Sequence, residues 1–504
     1  MRSANQKLAM FRWSACRAFA IAVAMLALGA VQNAAALPAF ARQTDQNCVS
    51  CHAGGQFPEL TPYGRLFKLT GYTIGERAVP FSLMGVWSYA KVADTSKSDS
   101  PATDFQKHAT PIFATGSLFV AGKITDNIGV FSQTTYDNYA SQSTNTDGLP
   151  SGDFKGHSQA DNMDLRIADR FIDANGDLII GASLNNNPSV SDVWNSAAAW
   201  MQYVPVPSPS SHQFIDGTTP FPGFGSGGNI AGLNLYAYWN QAVYAEIGTY
   251  RTANRAFSLF SAGIADADKT KLRGSGNPYW RFTLTHEWGP HNVMVGTSGM
   301  VAHIYDAGSD TSDPDNLGKI RNSGIDGQYQ YLLDPHTITV QVAYMRQKQD
   351  YSANTMAAAA PPYFLADGVT EVPAPRSSDT TNVLRAKISY IYHAKYGGSL
   401  GVFNRTGTSN TLNQTSGYDS NGQITSGDPL DTGITSTRVN GNLTGNPATR
   451  GWTTEAFWIP LQYIRVGAQF TAYSKFNGAT GNYDGFGRNA KDNNSLFLYL
   501  WAAY

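Results

Sequence analysis

Residues 338–344 read Ile-Thr-Val-Gln-Val-Ala-Tyr, and this stretch decides the fold because apolar side chains alternate with polar or small ones. Successive side chains of a β-strand point to opposite faces of the sheet. Ile338 and Val340 therefore share one face, and Thr339 and Gln341 share the other. One apolar and one polar face are what a strand needs between lipid and a polar lumen.

The same alternation recurs along the chain from residue 81 onward. Leu384 and Ile388 lie on one face and Arg385 and Lys387 on the other, so both charged side chains share a face. A Lys or Arg on the lipid face would cost about 2–4 kcal/mol at mid-bilayer. A soluble β-sandwich also alternates, but its strands average about 5–6 residues, whereas many runs here reach the roughly ten residues of a tilted spanning strand.

Short and long connections alternate between these runs, as in outer-membrane barrels with short periplasmic turns and long outer loops. The strand count is about sixteen, an even number, which puts both termini in the periplasm. Tight turns are predicted at 125–127, 173–177, 240–241, 289–290, 334–335, 396–398 and 460–461. Longer loops are predicted at 141–161, 187–227, 352–379 and 409–448.

Composition and the last strand support a barrel. Charged residues make up 14% of the chain, against about a quarter in soluble proteins, and aromatic residues make up 12%. The net charge of −1 gives no electrostatic case for nucleic-acid binding. The chain ends on Tyr504 after an alternating run, which resembles the C-terminal signal of bacterial outer-membrane barrels.

Residues 1–36 are predicted to be a signal peptide. Arg2 and Arg17 belong to its positive region, 18–31 is apolar, and three alanines precede Leu37. The alternative is a membrane anchor, which needs about 20 apolar residues. No later segment reaches that length, so a membrane-embedded mature chain must be a barrel. The predicted division is 1–36 signal peptide, 37–79 haem module and 80–504 barrel.

The chain has three cysteines, and Cys16 leaves with the signal peptide. Cys48, Cys51 and His52 form the attachment pattern of c-type haem. Each thiol adds to one vinyl group of a single covalent haem c, and His52 is the proximal iron ligand. A disulfide usually accompanies a βαβ context that is lacking here, and a zinc site would need a further ligand.

The haem module is small for burying its cofactor, so the haem is expected to pack against the barrel as well. A short α-helix is predicted after Pro62, with Leu66, Phe67 and Leu69 as haem contacts. In the same helix Arg65 and Lys68 are predicted either to pair with haem propionates or to be solvated.

Met84 is the preferred sixth ligand of the iron. In its strand the bulky Phe81, Leu83, Trp87 and Tyr89 are expected to face lipid, so Ser82, Met84 and Ser88 face inward. A Met ligand would raise the haem potential, whereas a lone Met is usually ordinary packing. Met294 and His393 are rivals near short turns, His108 lies in an expected outer loop, and an open or water-bound site is a further alternative.

The N-terminal residues resemble the outer-membrane monohaem cytochrome c–porin fusion family of iron-oxidising bacteria. The resemblance lies in 40–44, 48–52, 58–68 and Gly71-Tyr72, and the barrel matches only in architecture. It implies one haem on Cys48, Cys51 and His52 that plugs a pore of about sixteen strands. It also implies electron transfer from extracellular Fe(II) to periplasmic carrier proteins, which would make the chain a ferrous iron oxidase.

Two other functions stay open. One is a diffusion porin whose haem module is a structural plug or redox sensor, and the other is a soluble periplasmic cytochrome with a β-sandwich. The sequence contains no compact cluster that predicts an iron-binding site. Asp161, Asp164 and Glu246 are candidates for steering a cation, or else form ordinary polar lining.

Overall fold

This computed structural model describes residues 38–55, 59–94, 111–144, 150–174, 176–196, 230–261, 271–306, 308–359, 374–414, 416–418, 424–426, 442–484 and 487–504. The predicted signal peptide lies outside these residues. No helix within the described ranges is long and apolar enough to cross a bilayer.

Sixteen antiparallel strands in the described ranges form a barrel, as the sequence predicted. They are β1 (Phe81–Val92), β2 (Ile112–Lys123), β3 (Ile128–Thr144), β4 (Pro150–Asp173), β5 (Gly176–Asn185), β6 (Ile230–Trp239), β7 (Val243–Thr252), β8 (Pro278–Trp288), β9 (His291–Tyr305), β10 (Leu317–Leu333), β11 (His336–Asp350), β12 (Ser378–Tyr392), β13 (Tyr396–Gly407), β14 (Thr449–Leu461), β15 (Ile464–Lys475) and β16 (Ser495–Ala503).

Each strand pairs with the next, and β16 pairs with β1 to close the cylinder. The closing register runs from Met84 opposite Ala503 to Val92 opposite Ser495. A closed barrel leaves no unpaired strand edge. A two-residue strand, Lys271–Leu272, adds to β9, and Ser416–Tyr418 pairs with Ile424–Ser426 in a separate hairpin.

The apolar and polar residues of the strands lie on the faces that the sequence predicted. Leu235 and Leu400 on the outer face are 58% and 51% exposed. Asn234, Arg281 and Gln330 on the inner face are buried. In β16 the large aromatic side chains point inward and the leucines outward, and the buried aromatics are Phe497, Tyr499 and Trp501. The outer surface is thus apolar and the lumen polar with aromatic patches.

Two of the predicted turns are wrong by a few residues. The β12–β13 turn lies at 393–395 rather than 396–398. His393 and Ala394 both have φ near 51°, so the turn uses left-handed backbone without glycine. The β14–β15 turn lies at 462–463, because β14 continues through Pro460 to Leu461. Pro460 is tolerated there because the strand pairing is irregular at that point.

The predicted loop at 141–161 is mostly strand. β3 runs to Thr144 and β4 begins at Pro150, with Ser141 paired to Lys155. These strands have 17 and 24 residues, and a spanning strand needs about 9–11. A ribbon that extends beyond the lipid needs no apolar face, so its sequence resembles that of a loop.

The described N-terminal residues fill the lumen at the end with the short turns. They form α1 (Pro38–Thr44), α2 (Cys48–Cys51), a 3-10 turn (Ala53–Gly55) and α3 (Pro62–Leu69). We call residues 38–79 the plug. Two further helices, α4 (Pro188–Ser191) and α5 (Ala353–Ala358), lie in connections between strands.

The plug is hydrogen-bonded to the wall around much of its circumference. The backbone N–H of Ala39 donates to Ser82 Oγ on β1 at 2.9 Å, and Tyr72 OH donates to Asp164 on β4 at 2.7 Å. On the other side of the lumen, the Arg65 guanidinium donates to Asn292 Oδ1 on β9 at 2.8 Å. The plug is therefore part of the barrel's interior.

Helix α3 packs directly on α2 through a glycine. Thr61 caps α3 by accepting from the Gly64 N–H at 3.1 Å, and the Thr61 N–H donates to the Cys51 carbonyl at 2.9 Å. A Cβ at Gly64 would lie 2.1 Å from that carbonyl oxygen. Only glycine allows this approach of the two backbones.

Replacing Val402 with Arg should lower the free energy of unfolding by about 2–4 kcal/mol, because it puts a charge on the lipid face of β13. Thr406→Arg is the control, since it lies on the same face at the strand's far end, where the cost is about 0–1 kcal/mol. Denaturant unfolding in lipid vesicles measures both. Equal costs at the two positions would contradict the assignment of this face to lipid.

Gly64→Ala should lower the free energy of opening the plug by about 1–3 kcal/mol, because the added methyl overpacks the α2–α3 contact. Limited proteolysis of the folded barrel should cleave the plug roughly tenfold faster, since cleavage follows the population of the open form. Gly274→Ala is the control, because no atom lies within 4 Å of its added Cβ. Identical cleavage rates for the two variants would refute the close-approach argument.

Candidate functional site

The two predicted haem-binding cysteines lie on one turn of α2. Cys48 and Cys51 are three residues apart, so their side chains share a helix face. No disulfide joins these two residues. The Cys48 thiol lies 3.4 Å from Gln462 Oε1, in the β14–β15 turn. Burial, followed by the nearby Cys48, raises the pKa of the Cys51 thiol to about 11.

His52 follows directly and leaves the helix in an extended conformation. Its N–H donates to the Cys48 carbonyl at 2.8 Å, and it forms an antiparallel bridge with Leu60. Burial lowers the pKa of His52 to about 4, and the negative charge of Glu59 offsets part of that shift. The imidazole is therefore neutral at physiological pH, which is the form that ligates a metal.

A carboxylate and two cations surround this segment. Glu59 is buried, and Lys387 on the inner face of β12 donates to its Oε1 at 2.7 Å. Burial by itself raises the pKa of Glu59, but the charge and hydrogen bond of Lys387 and the charge of Arg465 outweigh it, so that pKa lies below its usual value. Arg465 also pairs with Glu455 at 2.7 Å and lies 3.8 Å from the ring centre of Phe457.

These residues fit a covalent haem better than the alternatives. Two thiols on one helix face and a neutral imidazole from the next residue are the donors that haem c requires. A zinc site would need three or four converging ligands. Among the described residues no group of three or more His, Cys, Asp or Glu side chains could hold a metal ion.

Met84 lies on the inner side of β1, as predicted. It packs with Val86 and Ala90 against the inward-facing aromatic cluster of β16. Phe81, Leu83 and Trp87 are exposed on the outer face. The position of Met84 agrees with the sequence, and its role as an iron ligand stays a prediction.

The rival sixth ligands are placed differently. Met294 is buried among Leu69, Trp194 and Tyr244, where it serves packing. His393 lies in the exposed β12–β13 turn and its Nδ1 is 3.7 Å from Asp334. His108 lies outside the described residues.

The solvated alternative is wrong for Arg65 and Lys68, because both are buried and bind other parts of this chain. Their pairing with haem propionates stays a prediction. Arg65 donates to Asn292 Oδ1 at 2.8 Å and to Gln330 Oε1 at 3.1 Å. Lys68 Nζ donates to the carbonyls of Val190 and Asp192 at 2.5 and 3.0 Å. Burial first, and then the charge of Arg166, lowers the pKa of Lys68 to about 8. The sequence could not show these distant partners.

Leu66 and Leu69 of α3 pack on the barrel, and Phe67 packs on α1. Leu69 is fully buried against Trp194, Tyr236 and Tyr244, and Leu66 packs beside them. Phe67 stacks edge-on with Phe40 at 4.9 Å between ring centres. The three predicted haem contacts are thus used for docking α3.

Sequence reasoning missed an inward-folding segment after β5. Residues 186–196, which we call the inner loop, include the fully buried Trp194 and the buried Asp192. Arg281 on β8 binds Asp192 at 3.2 Å and Asp326 at 2.7 Å. Inside the lumen this loop also contacts the plug, because its Val190 and Asp192 carbonyls accept from Lys68. The only sequence signal was a gap of unusual length between β5 and β6.

The carboxylates proposed for cation steering bind other side chains of the barrel. Asp164 binds Arg166 at 2.7 Å and accepts from Ser183 at 2.6 Å. Glu246 accepts from Tyr244 and Asn234 at 2.9 and 2.8 Å. Asp161 accepts from Thr135 at 2.7 Å. These partners favour the polar-lining interpretation.

Neither the family models nor the curated proteins contain a match to this chain. Similar solved structures include OmpF of Salmonella typhi in complex with daunomycin, with 10% identity, 84% of this chain and 97% of that chain covered, and a TM-score of 0.39. The outer membrane channel DcaP of Acinetobacter baumannii has 10% identity, coverages of 84% and 96%, and a TM-score of 0.38. An anion-selective porin from Comamonas acidovorans has 10% identity, coverages of 84% and 99%, and a TM-score of 0.38.

Proposed function

We propose that this chain is a porin-type barrel of the outer membrane of a Gram-negative bacterium whose plug carries one haem c. In this proposal Cys48 and Cys51 hold the haem covalently and His52 binds its iron. The protein then passes electrons from an extracellular donor, with ferrous iron the first choice, to periplasmic carrier proteins. The apolar outer face of the strands supports a place in lipid.

The observation that carries the electron-transfer proposal is the arrangement of α2. It presents both thiols on one face, and the partly buried imidazole of His52 follows at once. The motif lies at the barrel's short-turn end, where Cys48 contacts the β14–β15 turn through Gln462. Short turns face the periplasm in outer-membrane barrels, so a carrier protein there could reach this end.

Haem at this place would supply a one-electron carrier. Cys48 and Cys51 tether it, and the bridge between His52 and Leu60 fixes the ligand's backbone. The plug blocks much of the lumen through its bonds to the wall, as with Tyr72 and Asp164. Each ferrous ion would give up one electron to this haem and become ferric, and the plug would keep the metal itself out of the periplasm.

The barrel architecture favours a second function, a diffusion porin with a haem-containing plug or redox-sensing module. Sixteen antiparallel strands with a polar inner face are typical of barrels that enclose an aqueous channel. Architecture alone supports this function better than electron transfer, which depends on the Cys48–His52 motif. Under this proposal solutes pass along the wall beside the plug.

One set of experiments separates the two functions. Mass spectrometry of the mature chain should show one added haem, lost in Cys48→Ala/Cys51→Ala. Stopped-flow spectroscopy of intact cells should show rapid reduction of that haem by external Fe(II), because the donor side lies outside. Val49→Ala is the control, since it lies between the cysteines without supplying a thiol. If solutes permeate and Fe(II) never reduces the haem, the result supports the porin instead. A mature chain without added haem would refute both haem proposals.

Met84→Ala should alter the near-infrared charge-transfer band of the ferric protein if Met84 is the sixth ligand, since that band depends on the axial ligands. Met345→Ala is a matched control, because Met345 is another Met on the inner face of a strand. A spectrum unchanged in Met84→Ala would remove Met84 as a ligand and leave the haem attachment itself intact.

A further inference from the structure

A buried ion pair joins the plug to the barrel wall beside His52. Lys387 Nζ lies 2.7 Å from Glu59 Oε1, and the two side chains are only 13% and 7% exposed. Glu59 belongs to the plug, and Lys387 lies on the inner face of β12. Taking both charges out of water costs free energy unless they are well paired. This short contact supplies that pairing.

The backbone fixes Glu59 alongside the predicted iron ligand. The Ala53 N–H donates to the Glu59 carbonyl at 2.9 Å, and His52 bridges to Leu60. Residues 52–53 and 59–60 thus lie side by side.

We propose that Glu59 and Lys387 are a positioning pair that sets the reduction potential of the haem held by Cys48, Cys51 and His52. This inference rests on the haem attachment of the proposed function. Reduction adds one electron to the iron and lowers its charge by one. The carboxylate of Glu59 therefore favours the ferric state, and the ammonium of Lys387 favours the ferrous state.

Burial gives the pair its effect. Charges in a water-poor interior interact much more strongly than charges in water, and charged groups around a haem are among the means by which proteins tune its potential. Burial raises the pKa of Glu59, but the charge and hydrogen bond of Lys387, with a smaller contribution from Arg465, hold that pKa below its usual value. Since Lys387 comes from the wall, the barrel itself contributes to the potential of the plug's cofactor.

The test is a redox titration of the purified, haem-loaded full-length protein in detergent. Glu59→Gln should shift the midpoint potential upward, because it leaves the Lys387 charge unbalanced. Lys387→Met should shift it downward. The double variant Glu59→Gln/Lys387→Met should return close to the wild-type value, and Lys387→Arg should keep it.

Asp177→Asn is the matched control, because Asp177 pairs with Arg170 at 2.6 Å at the short-turn end of the barrel, apart from the plug. It should leave the potential unchanged. A purely structural pair would lower the stability of the variants without opposite shifts in potential, and that result would overturn the inference while the haem attachment stands. Variants that attach no haem while the wild type does would also overturn it, since the pair would then act on assembly. A wild-type chain without haem would overturn the proposed function and this inference with it.

Discussion

The pairing of β1 with β16 is the constraint on which the rest of the structure depends. Lipid offers no partner to a backbone N–H or carbonyl, so a sheet in a membrane must close on itself. The register from Met84–Ala503 to Val92–Ser495 completes that closure. It also brings the start and the end of the barrel sequence together, and the plug begins there, with Ala39 bonded to Ser82.

The plug is held by polar contacts more than by a shared apolar core. Arg65, Lys68 and Glu59 each meet a partner from the wall or the inner loop. Apolar contacts come from Leu69 of α3 and from Phe40 of α1, which stacks on Phe131 of β3. Breaking a buried charge pair by removing one partner costs about 3–5 kcal/mol. Such contacts therefore specify one orientation of the plug, and that orientation is the one that sets Cys48 beside the β14–β15 turn.

Much of the barrel could be predicted from the sequence, because strand parity is a local property. Arg385 and Leu384 are assigned to opposite faces by neighbouring positions alone, and the structure agrees. The roles of Arg65 and Lys68 could not be predicted, since their partners lie more than a hundred residues away. The bounds of the β12–β13 turn could not be predicted, because His393 and Ala394 take a backbone conformation usually associated with glycine. The Cys48–His52 motif was local in the same way as the strands, and the structure places Cys48 and Cys51 on one helical turn with His52 directly after it.

The contact between Lys68 and the inner loop has a mechanical consequence. The inner loop leaves β5 at the end of the barrel with the long connections, and the plug lies at the opposite end, yet the two touch through Val190 and Asp192. The two carbonyls that hold Lys68 therefore come from a connection that starts at the far end of β5, so the seating of α3 in the lumen depends on how that connection folds.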